Sequence, residues 1–264
     1  MPRVVALYRY PVKGLTPETC DALTVLAEGR VAGDRVLGFR FANCPVPDET
    51  WSKKYDFTAL VNTPGLACLT LRLDHRALRL RLSHGSSMLV EDTLDATGRV
   101  RVAAALESYI STLDENPLTG HPERRPLRLV GDGERPRYQD NEAGQITLHS
   151  RESLAALAAA SGDAALDEMR FRTNIVIDGV HPWAEQGWVG RTLRIGEVEF
   201  DVVKPKVRCL ATHANPDSGK RDIPIMQVLT RAFGQQEPTF GVGMLTRGSG
   251  GEVRLGDSVV PSAA

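Results

Sequence analysis

Lys204-Pro205-Lys206-Val207-Arg208-Cys209 is the segment of this chain best suited to chemistry, because three cations fall in the five residues before a cysteine. Nearby positive charge favours the thiolate, the form of cysteine that binds soft metals. The same pattern also fits an inert, buried thiol beside a solvated basic face, since free cysteine is commonly buried. A turn-forming run follows, with Thr212, His213 and Asn215-Pro216-Asp217-Ser218-Gly219. A second constellation, Arg170-Phe171-Arg172-Thr173-Asn174, precedes an apolar run, and at the two-residue period of a strand both arginines and Asn174 share one face. Guanidinium plus amide suits a phosphate or the edge of a heterocycle; strand-edge residues that discourage aggregation have the same look. Lys13 and Arg35, each near a glycine, carry less information, because isolated cations usually sit on surfaces. His149, His181 and His213 are conceivable acid–base groups, but no carboxylate or nucleophile stands at a spacing that defines a triad. Trp183 and Trp188 read as core or lid aromatics. The glycine-rich run at 247–251 lacks the Lys-Ser/Thr of a phosphate loop and no helix follows it.

Strands supply most of the framework that must position these residues. Val4–Tyr8 is β-prone and stops at Pro11, and residues 66–82 alternate apolar and polar in two segments around Asp74-His75. Val102, Leu106, Tyr109 and Ile110 are spaced for a helix. From Asp114 to Gly144 the chain is rich in Pro, Gly and charge, broken by a short strand candidate at Leu127–Val130, so a boundary is expected near 115. Beyond it, Gln145–Leu148 reads as a strand running into a helix that Ser150 caps and Gly162 ends. Asn174–Ile177 is a further strand. Residues 192–203 alternate on either side of Gly196-Glu197, as in a two-residue hairpin. Asp222 is placed to cap a helix carrying Ile225, Met226, Leu229 and Phe233 on one face, and residues 251–260 read as a last strand pair. The fold class expected is mainly β, α+β in detail: two β-barrel-like domains, 1–115 and 116–264, with a few helices, rather than a doubly wound parallel sheet.

The 264 residues are 42% hydrophobic and 25% charged, with a formal net charge of -1. That balance exerts no general pull on nucleic acid, so anion binding must come from local clusters. Cys20, Cys44, Cys68 and Cys209 form no C-x-x-C pair and lack zinc or haem spacing. The N-terminal apolar run is too short for a signal sequence and no stretch is long enough to cross a bilayer. A cytoplasmic protein with reduced thiols and no membrane partner is expected.

Taken together the motifs resemble MOSC-domain proteins with their N-terminal β-barrel partner domain, and especially the amidoxime-reducing components and their bacterial relatives. The resemblance rests on YPVKGL (10–15) with Gly33-Asp34-Arg35, then RFRTNIVIDG (170–179), WVGRTLRIGEVEF (188–200), KPKVRCLATHANPDSG (204–219), FGVGM (240–244) and GEVRLGDSVV (251–260), in family order nearly end to end. It implies a molybdenum cofactor of the molybdopterin form, with Cys209 as metal ligand and catalytic residue. It further implies that Arg172 and Asn174 hold the pterin, that Lys13 and Arg35 lie near the cofactor phosphate, and that Arg208 belongs to the same site. Ser150, at a helix N-terminus, is a looser candidate for an anion contact. The implied activity is reduction of small N-hydroxylated compounds; the rival is a carrier of the cofactor or of its sulfur without catalysis. Two departures stand out: Gly14 replaces a serine common in the family, and the Cys209 motif has one cysteine where relatives can have two. Some bacterial relatives end in a ferredoxin-like domain whose cysteines this sequence lacks, so electrons are expected from a separate ferredoxin- or flavoprotein-like donor.

Overall fold

The computed structural model describes residues 1–263. In chain order its strands are β1 (Arg3–Arg9), β2 (Glu18–Thr19), β3 (Ala22–Val25), β4 (Gly38–Arg40), β5 (Leu69–Asp74), β6 (Arg79–His84), β7 (Ser87–Thr93), β8 (Arg128–Val130), β9 (Ile146–Ser150), β10 (Ile175–Asp178), β11 (Thr192–Ile195), β12 (Val198–Val207), β13 (Thr239–Arg247), β14 (Gly251–Arg254) and β15 (Val259–Pro261). The α-helices are α1 (Ala96–Ile110), α2 (Arg151–Ser161) and α3 (Ile225–Ala232). The protein is mainly β, as its alternating sequence implies.

Eight strands form the main sheet in the order β15-β11-β12-β13-β9-β10-β1-β2, antiparallel except for the β9–β10 pair. Its far sides approach each other. Val4 N–H donates to the Asp257 carbonyl and Val259 N–H to the Pro2 carbonyl, both at 2.9 Å, beside an Arg3–Ser258 bridge. The sheet thereby curls into a barrel-like wall and turns alternate residues inward, among them Leu148, Ile175, Ile177, Leu193, Phe200, Val242 and Met244. A second core lies under the three-stranded β5-β6-β7 sheet, where Leu71, Leu73, Leu80 and Leu82 meet Val102, Leu106 and Ile110 of α1. Asp95 caps α1 by accepting the Gly98 N–H at 2.8 Å, which starts the helix before the stretch its apolar spacing marks out.

Three local expectations are met in detail. The β11–β12 hairpin turns at Gly196, whose φ of 57° suits a residue without a Cβ, and pairs Ile195 with Val198. Ser150 caps α2 by accepting the Ser153 N–H, and Gly162 closes it in the left-handed region at φ 76°.

Long-range pairing overturns others. The expected division at 115 does not coincide with the division between the cores: β1 and β2 belong to the main sheet and β3 pairs with β14, while β8 returns to pair with β4. Leu118, Leu127 and Leu129 likewise pack in the N-terminal core. β14 and β15 do not pair with each other, because β14 takes β3 and β15 takes β11. Asp222 does not cap α3; its carboxylate receives both terminal nitrogens of Arg170 at 2.8 Å, and Pro224 occupies the cap position. Among the described residues, no helix is long and apolar enough to cross a membrane.

Candidate functional site

An open cleft lies where the two cores meet, and Cys209 lines it. Strand β12 continues through Val207 and ends just before Arg208-Cys209, so the cysteine stands at a strand terminus that leads into a short 3₁₀ turn, Leu210–His213. Arg208, buried beneath it, donates to the Phe171 and Phe240 carbonyls, each at 2.9 Å. These bonds lock the segment carrying Cys209 to β13 and to the turn before Arg172.

The constellation around Arg172 is not the one-faced strand that its spacing suggests. Arg170 lies in a 3₁₀ turn, Arg172 follows in the left-handed region at φ 51°, and β10 begins only at Ile175. The kink sends the three side chains to different places. Arg170 is held by Asp222, as above. Arg172 enters the cleft, donating to the Leu15 carbonyl and lying 4.3 Å from the Tyr10 ring centroid. Asn174 is buried below, where its amide oxygen accepts from Thr147 and its Nδ2 donates to the Tyr8 carbonyl at 3.2 Å and to Asp34 at 3.3 Å. It therefore has no free group to offer a ligand. Its effect is indirect, through Asp34, which in turn accepts from Arg35.

Lys13 and Arg35 both reach the cleft. Lys13 is buried and donates to Asp140 at 2.6 Å and to the Tyr138 carbonyl at 2.9 Å. Arg35 stacks 4.8 Å from the same Tyr10 ring as Arg172 and donates to the Arg172 carbonyl at 3.1 Å. Tyr10 thus presents its π-face to two like charges, which the quadrupole of the ring helps to tolerate. Gly14 explains the missing serine: at φ 86° its backbone is strained for any side chain, and an added Cβ would lie 3.0 Å from Ala59 Cα and the Thr58 carbonyl.

Ser150 requires a correction. It is fully buried outside the cleft, and the anion at the N-terminus of α2 is the protein's own Glu185, which accepts from Ser150 Oγ at 3.1 Å and Ser153 Oγ at 2.9 Å. Burial raises the Glu185 pKa, against the opposing effect of these hydrogen bonds. His149 is also buried, packed against Phe171 and Phe240, and burial together with Arg208 lowers its pKa to about 3. It is a neutral core residue rather than a proton carrier.

Sequence reasoning missed several cleft residues. Lys54 approaches from the N-terminal core; burial disfavours its charge, but the adjacent Cys209 sulfur, Asp140 and Tyr55 together outweigh that and raise its pKa. Gln139 and Asp140 come from the Pro- and Gly-rich stretch that reads as a linker and Gln145 from the first position of an expected strand, and no local pattern marks them as site residues. Seven cations line the cleft, Lys13, Lys54, Lys206 and four arginines, against the single lining acid Asp140, with Asp34 and Asp222 behind the wall already paired to Arg35 and Arg170. Burial and then mutual repulsion follow: Lys206 falls to about 8, with Arg208 contributing, and Arg172 to about 10, with Arg35 contributing. Burial would raise the Asp140 pKa, yet Lys13, Arg35 and Lys206 together hold it below the usual carboxylate range. Arg172 Nη2, Gln139 Oε1 and Gln145 Oε1 are buried without partners. Unpaired buried donors and acceptors are costly, so a ligand that is both anionic and rich in N–H groups would complete the cleft.

Residues 135–260 match the MOSC domain family. The chain carries a MOSC domain. It is 26% identical over 82% of its length to mitochondrial amidoxime-reducing component 1 of Homo sapiens, covering 67% of that protein. It is also 38% identical over 29% of its length to a molybdenum cofactor sulfurase of Oryza sativa subsp. japonica, of which it covers 10%. The chain therefore spans about a tenth of that sulfurase and about two thirds of the amidoxime-reducing component. The crystal structure of the YuaD protein of Bacillus subtilis aligns with 100% of this chain and 98% of its own, at 12% identity and a TM-score of 0.45. The MOSC domain contains Arg172, Arg208 and Cys209, whereas Lys13, Arg35 and Lys54 come from outside it. Both cores are needed to build the cleft.

Proposed function

We propose that this protein is a molybdenum-cofactor oxidoreductase that reduces small N-hydroxylated compounds with electrons from a separate redox protein. One observation carries the reading: a single cysteine opens onto a cation-lined cleft whose buried Arg172, Gln139 and Gln145 atoms lack partners. Among the described residues no cluster of three or more His, Cys, Asp or Glu could hold a metal, so a metal at Cys209 would draw its remaining ligands from a non-protein group. The residues fit molybdopterin. Its phosphate suits the excess positive charge, its pterin N–H groups suit the two glutamine oxygens, and a thiolate suits a soft metal already bound to sulfur. When bound, the cofactor supplies the two-electron chemistry that cleaves an N–O bond and releases water. The protein's part is placement and electrostatics. Lys13, Arg35 and Arg172 would neutralise the anionic tail, Cys209 would hold the metal, and Lys54 and Lys206 would keep the Cys209 end of the cleft positive toward negative charge that develops in the reaction.

The sulfurase similarity supports a second reading, in which the site holds the cofactor or its sulfur without turning over a substrate. One experiment separates them. Wild type and Cys209→Ala are produced in a molybdopterin-competent host, assayed for molybdenum and pterin, and tested for reduction of an N-hydroxylated amidine with reduced viologen. The reductase reading expects stoichiometric molybdenum and turnover in wild type, and loss of both in the variant. Metal without turnover would transfer the case to the carrier, absence of metal from wild type would end the reductase reading, and absence of both metal and pterin would end the cofactor carrier as well.

A further inference from the structure

Nine large hydrophobic side chains are conspicuously exposed among the described residues, and three of them, Tyr55, Val207 and Leu210, sit on the two segments that border Cys209. Val207 and Leu210 flank the cysteine in sequence and are 50% and 40% exposed; Tyr55, at 63%, comes from the N-terminal core. The link across the cleft is Lys54, whose Nζ lies 5.4 Å from the Tyr55 ring centroid and faces the Cys209 sulfur. Exposed Lys53 and Lys204 extend the positive charge around these apolar groups, in a chain whose net charge is only -1. Carboxylates at the margin are largely paired with cations: Asp140 with Lys13, and Glu115 with Arg221, which itself donates to the Leu210 carbonyl, leaving Asp56 next to Tyr55 and Glu237 next to Pro238. An apolar centre with a charged rim is the anatomy of a transient protein interface.

We propose that this patch docks an acidic redox protein, a small electron carrier whose cofactor edge is surrounded by carboxylates. The inference rests on the reductase reading and identifies where its electrons enter. Charge complementarity selects the occupant, and position supports it: electron transfer weakens steeply with distance, and this surface surrounds the one side chain proposed to hold the metal. Each turnover would take two electrons from the donor and two protons from solvent, break the N–O bond, form N–H and release water. Complementary charge acts mainly on encounter, so salt should weaken the donor-driven rate selectively.

The test uses holoprotein and an acidic [2Fe–2S] ferredoxin kept reduced by its reductase, with reduced viologen as the small-molecule comparison. Lys53→Glu/Lys204→Glu and, separately, Tyr55→Ala change the patch outside the cleft lining. The double charge reversal is expected to lower ferredoxin-driven kcat/KM about tenfold or more, and raised salt to lower it in wild type. Tyr55→Ala should lower it less, and viologen-driven turnover should stay within twofold throughout. Ferredoxin-driven rates that ignore the variants, equal losses with both reductants, a wild type that ferredoxin does not drive, or a patch buried in a dimer of this chain would each overturn the docking proposal. A wild type inactive even with viologen would instead strike the reductase reading on which it rests.

Discussion

At the N-terminus of α2 the groups of Ser150, Ser153 and Glu185 complete one another, whereas those around Arg172 do not. Ser150, Ser153 and Glu185 form a closed set in which the helix end receives its anion from within the chain. In the cleft, by contrast, the lining cations outnumber the acids that pair with them, and buried atoms of Arg172, Gln139 and Gln145 have no partner. From sequence the two places look alike, each with small polar residues or cations beside a turn. The difference between them is satisfaction: a completed network stabilises the fold, and an incomplete one is maintained at a cost that a ligand can offset.

Substitutions can break or sharpen that contrast. After Cys209→Ala, whose loss of metal is absolute in the proposed reading, the next largest effect belongs to Arg172→Ala. Removing a charge-assisted contact costs about 1.5–3 kcal/mol, or roughly ten- to a hundredfold in cofactor affinity. Pterin retained after gel filtration would measure it, and unchanged retention would mean that Arg172 does not touch the ligand. Glu185→Leu should act in the opposite way. Stripping the carboxylate from the Ser150 N–H and two hydroxyls should lower unfolding free energy by about 2 kcal/mol, while cofactor retention stays at the wild-type level. A denaturant titration and a pterin assay on the same sample would show whether the two properties separate.

The smallest effect is a pH slope from His149. Its folded pKa, about 3, lies below the usual value near 6.5, so the unfolded chain binds a proton that the folded chain refuses. Stability from this group is complete above that usual value and falls as pH drops toward 3. Between pH 7 and 5.5 the loss should be about 1 kcal/mol, and His149→Leu should remove it. A denaturation midpoint equally acid-sensitive in the variant would assign the slope to other groups.

What the sequence revealed by itself is what can be decided within a few residues. The Ser150 and Gly162 caps, the Gly196 hairpin and the alternation of β5 and β6 are all set by local hydrogen bonds and side-chain period, and they appear where expected. The ordered motifs likewise marked out Cys209, Lys13, Arg35, Arg172 and Arg208, which the fold brings into one cleft. Tertiary structure alone decided which polar groups were already paired. Asn174 is used by Thr147, Tyr8 and Asp34, and Ser150 by a carboxylate 35 residues away, while Lys54 and Gln139 arrive from segments with no distinguishing pattern and Gln145 from a strand end whose place at the cleft nothing local marks. Hydrogen-bond satisfaction depends on partners distant in the chain, and spacing along a sequence carries no record of who those partners are.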